Sequence, residues 1–197
     1  FKENKALINQ LPLEFDGFIQ LVDNGQEYDL KFKTPTSSFQ NFLGLIPSAY
    51  AGNLKDVKTT GDFTVAGFAK GIYSDKTVPK FNLAIASNNA SFQYPNLPKS
   101  VQNIVIDTKI INETGLLNDT YVNLDRLSFK IDQDIFNAKA NIRNISENPL
   151  VNAELKGIIN LSNVSKAYPI KLSVTLSGVL NADIVPKFDM KSVENNQ

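Results

Sequence analysis

Hydrophobic and polar residues alternate along most of this chain. In the segment 63–71, Phe63, Val65 and Ala69 occupy alternate positions, and Thr64 and Lys70 fall between them. Comparable runs cover residues 81–85, 104–110, 136–142, 152–161 and 172–180. A period of two places successive side chains on opposite faces of a strand. Each run therefore predicts a strand with one buried face and one solvent-exposed face. Antiparallel pairing is favoured, because parallel sheets are usually buried on both faces.

One further run changes phase in its middle. Val122 and Leu124 share one parity, whereas Leu127 and Phe129 share the other. A shift of one residue would turn the apolar side chains to the wrong face of the sheet. The sequence therefore predicts a β-bulge near residues 125–126, which restores the phase.

Turn residues connect several of these runs. Asp23-Asn24-Gly25 lies between segments 15–22 and 27–33, and Asn-Gly is a strong hairpin signal. Asp132-Gln133-Asp134 lies between a strand that ends at residue 131 and one that starts near residue 135. A calcium loop or a carboxylate pair is the alternative for Asp132 and Asp134, but the central Gly and final Glu of an EF-hand are absent. We interpret both aspartates as turn residues.

Two segments have helical spacing instead. The segment Ser37–Leu45 begins with a serine that can cap a helix and is followed by apolar residues at helical spacing, and residues 161–167 place apolar side chains on one side. Each predicts one or two helical turns. The order strand, helical turn and glycine-containing strand occurs in residues 28–73 and again in 153–185, which indicates a weak internal repeat. We predict one β-rich domain over residues 1–190 and a polar, frayed tail over 191–197.

Composition excludes several kinds of chemistry. The 197 residues contain no His and no Cys, so the chain has no His-based catalytic triad, no disulfide and no ordinary zinc site. Lys+Arg and Asp+Glu are equal at 20 each, which argues against nucleic-acid binding by phosphate neutralisation. We predict no cofactor, no metal and no enzymatic activity. A hydrolase that uses only carboxylates is a third alternative, but no pair of acids has the pattern that such chemistry demands. Asp107 and Asp125 lie on outward strand positions and are most simply solvated.

The string Phe92-Gln93-Tyr94-Pro95-Asn96-Leu97-Pro98 is the most distinctive local sequence. It predicts a strand end that runs into a proline-fixed loop, with Phe92 and Tyr94 packed on the sheet. An aromatic site for a ligand or a peptide is the functional alternative.

The apolar strand faces also allow two interpretations. They can form the core of a closed sandwich or barrel, or they can line an open, curved sheet that binds a lipid. Alternation in the sequence is the same in both cases. Because the chain begins at Phe1 and its only methionine is Met190, we expect it to be a piece of a longer protein.

An ordered series of strings resembles the C-terminal, periplasmic portion of the AsmA family of Gram-negative envelope proteins. The resemblance covers most of the chain, roughly residues 13–185, and its strings lie between residues 61 and 178. In chain order the strings are Gly61-Asp62-Phe63-Thr64-Val65-Ala66-Gly67, Val78-Pro79-Lys80-Phe81-Asn82-Leu83, Ala90-Ser91-Phe92-Gln93-Tyr94-Pro95-Asn96-Leu97-Pro98, Val101-Gln102-Asn103-Ile104, Asn112-Glu113-Thr114-Gly115, residues 120–124, Asn148-Pro149, Leu155-Lys156-Gly157-Ile158-Ile159-Asn160-Leu161 and Leu176-Ser177-Gly178.

The resemblance implies a function that spacing alone does not. AsmA-like and TamB-like proteins are bridge-type lipid transfer proteins, typically anchored in the inner membrane, whose β-groove offers an apolar trough to acyl chains. By this resemblance the chain is a periplasmic module that binds or transfers phospholipid between the inner and outer membranes and supports outer-membrane assembly. The anchor would lie in a segment of the full-length protein that is absent from this sequence.

We expect an all-β, antiparallel, strongly curved sheet or partly open barrel with one or two short helical turns. The candidate lipid contacts are the apolar residues of its interior face: Phe63, Val65, Phe81, Leu83, Ile85, Ile104, Ile106, Phe129, Ile131 and Ile142. Leu155 is a further interior residue. The alternative is a closed β-sandwich that serves as a structural or protein-interaction module of the cell envelope.

Overall fold

A computed structural model describes residues 4–8, 11–35, 37–43, 56–169 and 175–194. Over these residues the fold is mostly antiparallel β-sheet with a few short helices. The strands are β1 (Asn4–Ile8), β2 (Leu11–Val22), β3 (Gly25–Lys33), β4 (Ser37–Ser38), β5 (Lys58–Tyr73), β6 (Lys80–Gln93), β7 (Val101–Asn112), β8 (Tyr121–Ile131), β9 (Asp134–Arg143), β10 (Leu150–Asn160), β11 (Val179–Ile184) and β12 (Lys187–Asp189). The helices are α1 (Phe39–Leu43), α2 (Leu161–Ala167) and α3 (Met190–Glu194), and Leu117–Asp119 form a 3-10 turn.

All twelve described strands belong to one sheet that does not close on itself. The main order is β1-β2-β3-β5-β6-β7-β8-β9-β10-β11, so the chain adds strands almost sequentially, and every neighbouring pair is antiparallel. The short strand β4 pairs with β5, and β12 pairs with β10. The predicted fold class is confirmed, and the described residues form one sheet rather than the two facing sheets of a sandwich.

The predicted bulge in β8 is present. On β9, Ala140 and Ala138 lie opposite Leu124 and Leu127, so residues 125–126 of β8 are the site of the register shift. Further bulges, which the sequence pattern did not indicate, interrupt the pairing of β6 and β7 with their neighbours. Asn89 and Asn103 adopt positive φ angles of 55° and 52° at these bulges. Asparagine tolerates this left-handed conformation better than most residues.

Both predicted hairpin turns are present. Val22 lies opposite Gly25, so the turn residues between β2 and β3 are Asp23 and Asn24. Gly25 has a φ of +150°, and a Cβ there would lie 2.0 Å from the carbonyl oxygen of Tyr73. A side chain is therefore excluded where this hairpin approaches β5.

The predicted helices are present with small differences. α2 has the expected bounds, and the Asn160 side chain caps it by accepting a hydrogen bond from the Ser162 amide at 3.0 Å. This cap explains why β10 ends at Asn160, one residue before the end of the predicted run. α1 starts at Phe39 because the two serines before it pair with β5 as β4, and residues 44–45 lie outside the described residues.

Two segments at the C-terminal end differ from expectation. Of the run 172–180, residues 172–174 lie outside the described residues, and β11 starts only at Val179. Gly178 has a φ of +95° and its carbonyl accepts a hydrogen bond from the Leu161 amide, so the chain turns immediately before β11. The segment predicted as a frayed tail includes most of α3, which Asp189 caps; residues 195–197 are not described. The single domain and the internal repeat stay predictions.

Candidate functional site

One face of the sheet is apolar across nearly all of its strands. Directly opposed residues of antiparallel strands lie on the same face, so the pairing register identifies the members of that face. One row crosses nine strands from β2 to β12: Phe15, Phe32, Gly67, Leu83, Ile110, Val122, Ile142, Val151 and Phe188. A parallel row consists of Phe63, Ser87, Ile106, Leu127, Ala138, Leu155 and Ile184. We call the surface formed by these and the intervening rows the apolar face.

Gly67 belongs to the apolar face, and a side chain at this position would clash with the neighbouring strand. Gly67 lies opposite both Phe32 and Leu83, and a Cβ on it would lie 2.2 Å from the Asn82 carbonyl oxygen. The same Cβ would lie 3.0 Å from the tip of the Phe32 ring. The aromatic ring therefore lies close to the glycine and keeps the apolar row continuous, as aromatic residues do beside strand glycines.

Ser87 and Thr108 are polar residues within the apolar rows, and both are hydrogen-bonded to backbone carbonyls. The Ser87 hydroxyl donates to the Asp62 oxygen at 2.9 Å, and the Thr108 hydroxyl donates to the Asn123 oxygen at 3.0 Å. Because their donors are satisfied within the sheet, these hydroxyls add little polarity to the apolar face.

The opposite face of the sheet is polar. Cross-strand and same-strand ion pairs lie on it: Lys70 with Asp29 at 2.8 Å, Lys109 with Asp125 at 3.4 Å and Lys156 with Glu154 at 3.0 Å. All of these side chains are substantially exposed, so each ion pair adds little to the free energy of unfolding. Their charges make this face of the sheet hydrophilic. We call this surface the polar face.

The structure places all ten predicted contact residues on the apolar face. Four of them are buried, namely Phe63, Val65, Ile104 and Ile131. The other six are half-buried: Phe81, Leu83, Ile85, Ile106, Phe129 and Ile142. The candidates therefore divide into a covered group and a partly open group.

The short helices explain this division. Phe39 and Leu43 of α1, together with Ala167 at the end of α2, belong to the same buried cluster as Phe63 and Ile104. Both helices lie in connections between neighbouring strands, and both pack on the apolar face. They cover one end of it and leave the other rows more accessible.

An aromatic cluster reinforces the covered end. Phe92, Tyr94 and Tyr168 stack edge to face, with ring centroids 5.8 to 6.4 Å apart. Tyr94 is only 6% exposed, and burial together with the neighbouring Tyr168 raises its pKa above the usual 10.0. This packing agrees with the interpretation of the 92–98 string as a strand end. Sequence reasoning missed Tyr168, which comes from a distant part of the chain.

A buried asparagine organises a loop at the other end of β7. Asn112 lies opposite Phe81 and is 1% exposed. Its side-chain amide donates to the Leu116 oxygen at 2.7 Å and to the Thr120 hydroxyl at 2.9 Å, and its oxygen accepts from the Gly115 amide at 2.7 Å. The resemblance singles out the string at 112–115, but the sequence does not predict that Asn112 is buried in a hydrogen-bond network.

Between these two ends the apolar face lacks a covering element within the described part of the chain. Ile110, Val122 and Ile142 lie side by side on β7, β8 and β9 and are all half-buried. Ile110 and Val122 were not among the predicted contacts, although they belong to the same row as Leu83 and Ile142. The pairing register was the missing information.

The two aspartates considered for a calcium loop, Asp132 and Asp134, have structural partners. Asp132 forms an ion pair with Lys99, which lowers its pKa, and its φ of 59° fits the predicted turn. Asp134 accepts from the Asn160 amide at 3.0 Å and from the buried Asn163 side chain at 2.8 Å, so it links the β8–β9 turn to α2. Among the described residues there is no cluster of three or more metal-ligating side chains.

In the same part of the chain, none of the helices is long and apolar enough to cross a membrane. No protein-family profile, no curated protein and no solved structure matches this chain.

Proposed function

We propose that the apolar face binds the acyl chains of a phospholipid, and that the chain acts as a non-enzymatic lipid-transfer module of an AsmA-like envelope protein. The observation that carries this proposal is the unbroken apolar row from β2 to β12, whose middle members are only half-buried. The proposed setting is the periplasm, where the module would move phospholipid between the two membranes.

The dimensions of the face suit an acyl chain. Strands in a sheet lie about 4.8 Å apart, so the path from β2 to β11 is about 38 Å long when measured across the sheet. One leaflet of a bilayer has a hydrocarbon thickness of about 15 Å, half of the roughly 30 Å core. A single acyl chain laid across the strands would therefore contact about four of them.

A lipid carrier must bind acyl chains and leave the head group in water, and an apolar face on a sheet with a polar opposite face meets both requirements. Each methylene group moved out of water contributes about 0.8 kcal/mol, so partial burial on the apolar face is sufficient for reversible binding. The polar head group would stay in water beyond the sheet. Weak binding distributed over many residues allows a cargo to move along the face and to leave.

The test compares a substitution on the apolar face with a matched one on the polar face. Ile142 is half-buried between Val122 and Val151 and is not part of the buried cluster. Ile142→Asp should keep the fold and remove binding, because it places a carboxylate in the middle of the apolar row. Ile158 is 51% exposed on the polar face of β10, so Ile158→Asp is the control and should bind lipid like the unsubstituted chain.

Binding is measured in two ways on the purified chain. Native mass spectrometry with organic extraction detects co-purifying phospholipid, and transfer of a fluorescent phospholipid from vesicles measures uptake. Circular dichroism confirms that both variants are folded. The proposal fails if the unsubstituted chain carries and takes up no phospholipid, or if folded Ile142→Asp and Ile158→Asp bind it equally well.

A further inference from the structure

The described part of the sheet has two open edges, and the strands β1 and β11 at these edges carry opposite charges. Among the described residues, β1 pairs only with β2, and β11 pairs only with β10. Within β1 the only charged residue is Lys5, and within β11 the only charged residue is Asp183. An open edge presents unpaired backbone groups that can accept another strand.

The directions of the two edges are compatible with each other. The main order contains ten strands, including the two edge strands, and each of its nine neighbouring pairs is antiparallel. β11 therefore runs opposite to β1. If β11 of a second copy in the same orientation lies beside β1, it continues the antiparallel order of the sheet.

The faces of the two edge strands match as well. On β1, Ala6 lies on the apolar face because it is opposite Leu13, and on β11 Ala182 lies there because it is opposite Gly157. When Ala6 is placed opposite Ala182 in an antiparallel register, Lys5 comes opposite Asp183 on the polar face. Oppositely charged residues that face each other across strands are stabilising, and like charges are destabilising.

Exposed apolar side chains occur on both edges. Leu7 on β1 is 73% exposed, and Val179 and Ile184 on β11 are 65% and 49% exposed. A joined edge would partly bury Leu7 and Ile184. In the register that places Ala6 opposite Ala182, Leu7 lies opposite Asn181 and Ile184 opposite Asn4, so the charged pair, and not an apolar contact, favours this register.

We propose that copies of this chain associate head to tail by pairing β1 of one copy with β11 of the next, with Lys5 opposite Asp183. The contact is heterologous, so repeating it produces a linear series of copies rather than a closed dimer. The rows of the apolar face would then continue from one copy to the next. The association itself does not depend on lipid.

Sedimentation velocity of the whole chain over a range of concentrations tests the proposal. The unsubstituted chain should form dimers and larger species as its concentration rises. Lys5→Glu alone and Asp183→Lys alone should each associate at least about tenfold more weakly, because attraction becomes repulsion at the junction. An equimolar mixture of the two variants should associate again, since opposite charges meet at every mixed junction.

Cysteine cross-linking tests the register independently. The natural chain has no cysteine, so Leu7→Cys in one chain and Asn181→Cys in another are the only thiols in a mixture. These positions are adjacent in the proposed register, and the disulfide between different chains should form in preference to either disulfide between identical chains. A monomeric unsubstituted chain at all concentrations, single variants that associate normally, or a mixture that stays monomeric would each overturn the proposal.

The result separates this inference from the proposed function. Lys5 and Asp183 lie on the polar face and outside the apolar rows, so folded Lys5→Glu should still take up lipid. If the unsubstituted chain associates but takes up no lipid, the proposed function is wrong and this inference stands. If it takes up lipid but stays monomeric, this inference is wrong and the proposed function stands.

Discussion

Two glycines allow backbone strain and steric overlap to be measured separately. Gly61 and Gly178 have similar left-handed backbone angles, with φ of +86° and +95°. Gly61 lies at the register shift in β5, and a Cβ on it would lie 2.6 Å from the Cα of Ala90. A Cβ on Gly178 would meet no atom of the described residues within 4 Å.

The two alanine substitutions should therefore differ in their effect on the free energy of unfolding. A non-glycine residue in the left-handed region costs roughly 1–2 kcal/mol, and the reduced freedom of the unfolded chain returns about 0.4–1 kcal/mol. Gly178→Ala should thus destabilise the fold by about 1 kcal/mol. Gly61→Ala carries the same strain and adds an overlap with a completely buried residue, for which overpacking costs typically 1–3 kcal/mol. Its total should be about 2–4 kcal/mol.

Equilibrium urea unfolding followed by circular dichroism measures both values, provided that the m-value is unchanged between the variants. A larger loss for Gly61→Ala supports the close approach of β5 to Ala90. Equal losses would show that this approach does not exist and that only the backbone angle matters. No loss in either variant would refute the left-handed conformation at both positions.

Three further predictions concern polar groups. Asn112→Ala removes the acceptor of the Gly115 amide and should reduce the free energy of unfolding by about 1–3 kcal/mol in urea; a loss below about 0.5 kcal/mol would contradict the buried network. Hydrogen bonds from the Asn148 side chain, then from the Ser192 hydroxyl and amide, lower the pKa of Asp189 to about 2, so the order of α3 should be complete above about pH 4 and lost as the pH falls towards 2. NMR of α3 during an acid titration measures this loss, and Asp189→Asn should abolish its pH dependence. Burial raises the pKa of Tyr94, so ultraviolet titration should show one phenol that ionises late and that disappears in Tyr94→Phe; its persistence in that variant would contradict the assignment.

The parts of the fold set by local pattern were predictable from sequence. The phase change between Leu124 and Leu127 correctly located a bulge, because a period of two leaves no other way to keep both residues on one face. The bulges at Asn89 and Asn103 leave no such mark, since the residues around them do not alternate cleanly. Their left-handed angles depend on how neighbouring strands meet.

The candidate site was predictable in outline only. Alternation assigned Phe63 and Ile142 to the apolar face, but it contains no information about what covers that face. Phe63 is buried because α1 and α2 fold back over its end of the sheet, whereas none of the described elements covers the rows of Ile142. The network of Asn112 was missed for a related reason: an asparagine at a strand end is usually exposed, and only the tertiary fold buries it.

In the described part of the chain, the apolar face without a cover and the two open edges are separate features with separate physical consequences. Apolar surface in contact with water favours any process that covers it, and acyl chains would cover the rows around Ile142 directly. Strand pairing at the edges covers very little of these rows, because a new strand lies beside the sheet rather than on its face. It lengthens the face instead, by about 4.8 Å for each added strand. Association alone would therefore increase the apolar area that needs a cover, whereas lipid would reduce it. If both proposals hold, lipid-loaded chains should associate with an affinity similar to that of empty chains, because the cargo does not touch Lys5, Asp183 or the backbone groups of the edge contact, and Ile184 is the one member of the listed apolar rows that the junction partly buries.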